Sequence, residues 1–315
     1  MKILICPLNW GLGHATRCVP IIRRLIAEGN ELVMVADGFP LEFLQQEFPS
    51  LRLIEFSSYS IHYSHGHSQI GAMFFSLPKI IAGSIKEHQW LKKLLKSEKF
   101  DQVISDNRFG MWNKNLHSIY ITHQLMVKMP RHLKFLEPIV HYIHKGIINN
   151  YNECWIPDFE DNGGLSGDLS HKYKLPENGK FIGTLSRFQG LENTEPTINF
   201  ELVAIISGVE PQRTLFEKEL IEKYRNKQQH TIIVSGQPAK MKKEIHIGNV
   251  TLVSHLPDIE LVSVLLGAKR IVSRSGYSTI MDLANLNCLE KAEFIPTPGQ
   301  TEQEYLTSLF NFKSH

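Results

Sequence analysis

"NWGLGHATR" (residues 9–17) lies between the apolar run "KILICPL" (2–8) and "ATRCVPIIRRLIAEG" (15–29). The run reads as a β-strand. In the second stretch Val19, Ile22, Leu25 and Ile26 fall on one helical face, so the nine residues form a strand-to-helix turn. Gly11 and Gly13 let the backbone come close to a ligand. The helix that starts near His14 offers unpaired N–H groups, which suit an anion. An imidazole at that position has the proton affinity of a general base. A histidine that merely caps or packs the helix start is an equal alternative on this stretch alone.

Outward from this turn, "ELVMVAD" (31–37), "LRLIEF" (51–56), "FDQVISD" (100–106), "SIYITH" (118–123) and "ECWIP" (153–157) read as further strands. Helical patterns lie between them, at 41–48, 70–96 and 130–152. Such alternation predicts a parallel sheet covered on both faces. Residues 158–180, "DFEDNGGLSGDLSHKYKLPENGK", are rich in Gly, Asp, Ser and Pro and read as a linker. The alternation then restarts, with strands at 202–208, 230–236, 250–256, 268–276 and 292–298 and a helix at 213–224. Two α/β domains follow, 1–157 and 181–315, and 315 residues suit two cores.

The first turn is a poor dinucleotide fingerprint. Thr16 stands where GxGxxG needs its third small residue, and Asp37 is the one candidate ribose acid. A nicotinamide cofactor is therefore not expected. Four scattered cysteines without a CxxC pair suggest neither a disulfide framework nor a zinc site, so a reducing cytoplasm is the expected compartment. The N-terminus reads as a strand, too short in apolar residues for a signal peptide, and no run of about 18 apolar residues is present. Residues 1–150 hold 17 Lys and Arg against 11 Asp and Glu, and the remainder 17 against 21. The basic front half suits an anionic partner or simple solvation. No aromatic-interleaved basic cluster points to nucleic acid.

A second glycine turn occurs in "SRSGYSTIMDL" (273–283). Ser275 and Gly276 lead into a helix beside Arg274, again an anion site. Asp282 lies seven residues after Ser275, on nearly the same helical face, where a carboxylate can take sugar hydroxyls. Gln300 and Gln303 in "PTPGQTEQEY" (296–305) can also read hydroxyls, and Arg213 ends the polar loop "SGVEPQR" (207–213). Each of these side chains could equally be an ordinary surface group.

In order and spacing, "GLGH" (11–14), "SGVEPQR", "SRSGYSTIMDL" and "PTPGQTEQEY" resemble the family 28 type of glycosyltransferase. They are similar to the N-acetylglucosaminyltransferases that form the peptidoglycan lipid II. The resemblance implies a GT-B fold, two Rossmann-like domains with parallel sheets facing a central cleft. It implies a nucleotide diphosphate sugar, UDP-linked, in the second domain: Ser275 and Gly276 at the diphosphate, Asp282 at the ribose, Gln300 and Gln303 at the sugar, and Arg213 or Arg274 at the leaving group. The glycine loop, Gly11 and Gly13, would face a glycan or lipid-linked acceptor, with His14 as base. Related transferases pair such a histidine with a strand-end aspartate, and Asp106 is placed for this. No Asp-x-Asp motif is present, so inverting, metal-independent transfer of a hexose or N-acetylhexosamine is expected, without a cofactor.

Two departures from that family stand out. The chain reaches His315 soon after the glutamine loop, which reads as a shortened second domain, and "NLNCLEKAEF" (285–294) is polar where relatives turn on glycine. The rival readings are a nucleotide-sugar 2-epimerase and a non-catalytic sugar-nucleotide or glycolipid binder. The segments 70–99 and 125–145 mix apolar and basic residues. Packing against the sheet is their favoured role, and peripheral contact with the inner face of a membrane is the alternative.

Overall fold

The computed structural model of the protein describes residues 1–57, 69–196, 199–237 and 243–311, with the backbone path alone for 69–77. The chain divides into two units, one ending at Leu185 and the other running from Ser186.

In the first unit the elements run β1 (Lys2–Pro7), α1 (Gly13–Ala27), β2 (Glu31–Ala36), α2 (Gly38–Glu47), β3 (Arg52–Glu55), α3 (Gln69–Ser97), β4 (Gln102–Asp106) and β5 (His117–Ile121). They continue through α4 (Glu137–Ile148), β6 (Glu153–Ile156), α5 (Asp168–His171) and β7 (Gly179–Phe181). The seven strands are ordered β3-β2-β1-β4-β5-β6-β7 and all neighbours are parallel. Ile3, Leu4, Ile5 and Cys6 are all buried, because both faces of β1 are covered and no polar alternation survives. Val19, Ile22 and Leu25 of α1 are buried as the spacing predicts, but Ile26 is exposed and Ile21 is buried in its place.

The second unit holds β8 (Phe200–Ile205), α6 (Gln212–Tyr224), β9 (Thr231–Val234), β10 (Glu244–Ile247), β11 (Val250–Val253) and α7 (Asp258–Leu266). It ends with β12 (Ala268–Arg274), α8 (Tyr277–Asn285), β13 (Ala292–Ile295) and α9 (Thr301–Asn311). Its sheet is ordered β10-β11-β9-β8-β12-β13. Five strands are parallel. β10 pairs antiparallel with β11 across the two-residue turn Gly248–Asn249, so this sheet is mixed rather than purely parallel. The Gly-Asn pair between "EIHI" and "VTLV" is the hairpin signal in the sequence.

Both sheets reverse their order of growth once, between β1 and β4 and between β8 and β12. At such a point the two loops leave the strand ends in opposite directions and open a crevice between them. "NWGLGHATR" leaves β1 at the first reversal, and "SGVEPQR" and "SRSG" leave β8 and β12 at the second.

Residues 158–180 are not a free linker, as their composition suggested. β7 extends the first sheet, and the preceding loop is wound around Asp158, which has no exposure. Its carboxylate accepts hydrogen bonds from the N–H groups of Phe159 (2.8 Å), Leu165 (2.7 Å) and Ser166 (3.0 Å) and from Ser166 Oγ (2.5 Å). His171 Nε2 lies 3.2 Å away. Gly164 passes so close that a Cβ there would sit 2.3 Å from Asp158 Oδ1, at a φ of +53°. The polar composition thus builds a buried carboxylate nest.

α4 also differs from the favoured expectation. It buries Glu137, His144 and Ile148, but Ile139, Tyr142 and Ile143 are exposed, as is Phe135 in the 3-10 turn before it. Arg131, Lys134 and Lys145 are exposed around them. The apolar stretch 70–77 of the other amphipathic segment lies outside the described side chains. Among the described residues no helix is long and apolar enough to cross a membrane.

Replacing Asp158 by Ala strips several buried donors of their acceptor at once. Asp158→Ala should destabilise the first unit by about 3 kcal/mol or more, measured as the loss of urea midpoint. A change below about 0.5 kcal/mol would show that the nest is not holding the loop.

Candidate functional site

β1 and β4 are neighbours, with Pro7 opposite Asp106, so the end of β4 lies beside the turn that starts α1. Gly11 turns the chain at a φ of +80°, whereas Gly13 takes an ordinary helical start. His14 therefore stands in the first turn of α1, over the end of β4. Its Nδ1 lies 2.9 Å from Asp106 Oδ1. The pair that the resemblance implied is thus brought together across 92 residues.

Two further side chains complete the cluster. Arg17 directs Nε and Nη2 at the two oxygens of Asp106, a guanidinium fork on a carboxylate. Its Nη1 donates to His123 Nδ1 at 3.0 Å, since a guanidinium has no acceptor. Arg17, Asp106 and His123 are buried, while the His14 side chain keeps 12% of its exposure. His14 Nδ1 also lies 2.9 Å from Arg17 Nη2. It can serve only one of these neighbours. An unprotonated Nδ1 would set its lone pair against the carboxylate, so the proton belongs on Nδ1, donated to Asp106. Nε2 is then unprotonated, with no hydrogen-bond partner among the described residues.

Burial alone would push the Asp106 carboxyl up, but the charges of Arg17 and His14 outweigh it and hold it at about 2. Burial lowers His14 below its ordinary 6.5, and the positive charge of Arg17 acts the same way against the opposing pull of Asp106. At neutral pH the cluster contains an ionised carboxylate and a neutral imidazole.

In the second unit the expected side chains fall into three groups. Arg213 is tied into its own loop: it donates to Glu210 Oε1 (2.7 Å), Glu217 Oε2 (3.3 Å), Thr214 Oγ1 (3.0 Å) and the Ser235 carbonyl (3.2 Å). Arg274 stacks 3.8 Å from the Phe216 ring centre and donates to the Pro296 carbonyl at 2.6 Å. Ser275 Oγ donates to the Gln303 carbonyl and accepts from Thr307 Oγ1, both at 2.8 Å, so it pins α9 to the start of α8. Gly276 is the residue before α8. Gln303 accepts from the Thr297 N–H (2.8 Å) and donates to Gln300 Oε1 (2.6 Å). Arg274, Ser275, Gln300 and Gln303 thus form one connected cluster around the loop after β13.

Asp282 belongs to another group. It accepts from Ser186 Oγ at 2.7 Å and from the Arg187 N–H at 3.3 Å, and Arg187 Nε is 3.9 Å away. Arg187 also pairs with Asp258 at 3.4 Å. Burial dominates here and lifts the Asp282 carboxyl from 3.8 to about 6, against the pull of Arg187. Arg17, His123, Ser186 and Arg187 did not emerge from the sequence as site residues. Arg17 alone had a usable signal, its i, i+3 spacing from His14.

No protein-family model matches the chain. A curated protein of Methanosarcina mazei named "uncharacterized glycosyltransferase" is 23% identical over 328 residues, covering 96% of this chain and 82% of the relative. The crystal structure of CalG4, the calicheamicin glycosyltransferase, superposes with a TM-score of 0.60 at 11% identity, over 98% of this chain and 83% of that one. UDP-GlcNAc 2-epimerase of Neisseria meningitidis, bound to UDP-GlcNAc, gives 0.53 at 12% identity, over 99% and 92%. The fold is the two-domain α/β fold of GT-B glycosyltransferases, with one parallel and one mostly parallel sheet.

The two shifted carboxylates, buried Asp106 and half-buried Asp282, act on stability in opposite senses. Asp106 is depressed, so its contribution is present at neutral pH and is lost as pH falls from 3.8 toward 2. Asp282 is raised: between pH 3.8 and 6 the unfolded chain has lost a proton that the folded chain keeps, so stability falls as pH rises. Relative to Asp282→Asn, wild type should lose on the order of 3 kcal/mol between pH 4 and 7. Denaturant titrations of both proteins at four pH values check this, and parallel curves would refute it.

Proposed function

We propose that the chain is a glycosyltransferase that moves a hexose or N-acetylhexosamine from a UDP-linked sugar to an acceptor hydroxyl, with inversion and without a metal ion. The observation that carries this reading is the His14–Asp106 contact of 2.9 Å at the point where the first sheet reverses. The neutral imidazole holds its proton on the side of Asp106 and offers Nε2 to an acceptor O–H. As that proton moves to Nε2, the acceptor oxygen bonds to the anomeric carbon. The bond from that carbon to the diphosphate breaks on the opposite side, and the leaving group takes the electron pair. One displacement inverts the centre.

The donor belongs to the second unit on this reading. The N–H groups at the start of α8, after Ser275 and Gly276, face the diphosphate, with Arg274 as the compensating charge. Asp282 takes the ribose hydroxyls, and Gln300 and Gln303 the sugar. Arg213, bound within its loop, supports the turn after β8 in this scheme. The absence of an Asp-x-Asp sequence supports the metal-free route.

The acceptor is lipid-linked on this reading, and the protein is cytoplasmic and works at the inner face of the membrane. Phe135, Ile139, Tyr142 and Ile143 supply an exposed apolar face and Arg131, Lys134 and Lys145 its basic rim, a pattern that suits anionic headgroups. Vesicles containing anionic lipid should sediment wild type and leave an Ile139→Ser/Tyr142→Ser double variant in solution. Equal sedimentation of the two would remove α4 from this role.

A second reading, a nucleotide-sugar 2-epimerase, draws on the likeness to the Neisseria enzyme. The deciding experiment incubates the protein with UDP-sugars, with and without a lipid-linked glycan. Acceptor-dependent UDP release, lowered about 10²- to 10⁴-fold in His14→Gln while the donor-induced thermal shift persists, is expected. That shift should correspond to about 2.7 kcal/mol at a donor concentration a hundred times its Kd and vanish in Asp282→Ala. Epimerised sugar without acceptor would favour the second reading. A donor shift lost in His14→Gln would overturn the base role.

A further inference from the structure

In a histidine–carboxylate pair the carboxylate normally raises the proton affinity of the imidazole. The cluster at the end of β4 is built differently. Arg17 projects from the same face of α1 as His14, three residues on, and its fork occupies both oxygens of Asp106. Its remaining Nη1 is held by His123 from the loop after β5, so the guanidinium is fixed at both ends. The groups that face His14 are therefore Asp106 from β4, Arg17 from α1 and His123 from the loop after β5. The Cys18 thiol, 3.8 Å from Asp106, is pushed well above its usual range by burial and stays uncharged.

We propose that Arg17 is a positioning residue of the His14 site: its fork locks the Asp106 carboxylate to receive His14 Nδ1–H, and its charge cancels that of Asp106, so that His14 stands as a neutral imidazole with Nε2 open. The consequence for turnover rests on His14 being the base of the proposed transfer. The claim about its protonation does not. Burial is the first cause of the lowered proton affinity of His14, and the charge of Arg17 acts in the same direction, against Asp106. During transfer the acceptor proton lands on Nε2, and the imidazolium that forms lies beside a pair with no net charge. It therefore passes the proton on to water readily once the product has left.

The test is an NMR titration of isotope-labelled histidines, with His14 assigned through its loss in His14→Gln. It compares wild type, Arg17→Lys, Arg17→Met and the Arg17→Met/Asp106→Asn double variant. In wild type the ¹⁵N shifts should place the proton on Nδ1 and the midpoint below 6.5. Arg17→Met exposes His14 to an uncancelled carboxylate and should raise the midpoint by about one pH unit or more. Arg17→Lys keeps the charge and should stay near wild type. The double variant removes both charges, so it should return near wild type, and it leaves no buried charge unpaired if Arg17→Met fails to fold. An Arg17→Met midpoint equal to wild type, a double variant more than about one pH unit away, or a proton found on Nε2 would overturn the proposal. The same proteins assayed for acceptor-dependent UDP release keep the two claims apart. The expected titrations without any transfer would sink the transferase reading alone. Transfer by a protein whose His14 ignores Arg17 would sink this inference alone.

Discussion

A carboxylate with no solvent exposure organises the first unit. Asp106 ends β4 at the point where the sheet reverses, and it receives Arg17 and His14 from α1 on one carboxyl group. Burying such an ion is unfavourable unless partners are close and well aimed, and removing one partner of a buried pair typically costs about 3–5 kcal/mol. The ends of β4 and β5 and the first two turns of α1 are thereby held in one register. The same contacts that let Asp106 be buried also fix the orientation of the His14 ring. Fold stability and site geometry are one constraint here.

Much of this was legible in the sequence because the fold class rests on periodicity. Buried strands read as continuous apolar runs, and the helices between them read at 3.6 residues per turn, so the order of elements up to β6 follows from the chain alone. His14 and Asp106 are placed as partners by the family resemblance alone: one stands at a helix start and the other at a strand end, and nothing local shows that they touch. Arg17 lies in the opening stretch, with only its spacing from His14 to mark it. A buried arginine looks like a surface one until its acceptor, 89 residues away, is in place. Residues 158–180 depart from their composition for the opposite reason. Gly, Asp and Ser signal irregular backbone, and irregular it is, but a carboxylate that collects N–H groups can be as buried as any leucine. β10 was missed because it is a short, exposed edge strand whose hairpin signal is one Gly-Asn pair.

In the second unit the residues proposed for donor recognition satisfy one another. Gln303 binds Gln300 and the Thr297 N–H, Ser275 ties α8 to α9, and Asp282 takes Ser186 and Arg187. A site built this way is shaped before a ligand arrives, which lowers the ordering cost of binding. It also means that a bound nucleotide sugar would have to replace some of these bonds, so specificity would depend on how well its hydroxyls reproduce them. Spacing along the chain identifies such residues as polar and close together. It does not tell which of their groups face outward and which are used up inside.

The charge asymmetry takes on a different meaning in this light. The excess of Lys and Arg lies in residues 1–150, yet the unit read as holding a diphosphate, from Ser186 on, is close to balanced, with 14 Lys and Arg against 15 Asp and Glu. Net charge acts over about a Debye length and draws in partners, whereas a phosphate is held by oriented amides and a few fixed donors. The basic residues of the first unit are exposed on α3 (Lys79, Lys86, Lys92, Lys93 and Lys96) and around the bare apolar face of α4. Their placement suits an extended anionic surface better than a single phosphate. A domain whose interior is neutralised at Asp106 and whose surface is basic can meet such a surface without altering the protonation of His14. Salt screens the exposed lysines but not the buried Arg17–Asp106 pair, so surface attraction and the protonation state of His14 are set by separate groups of charges.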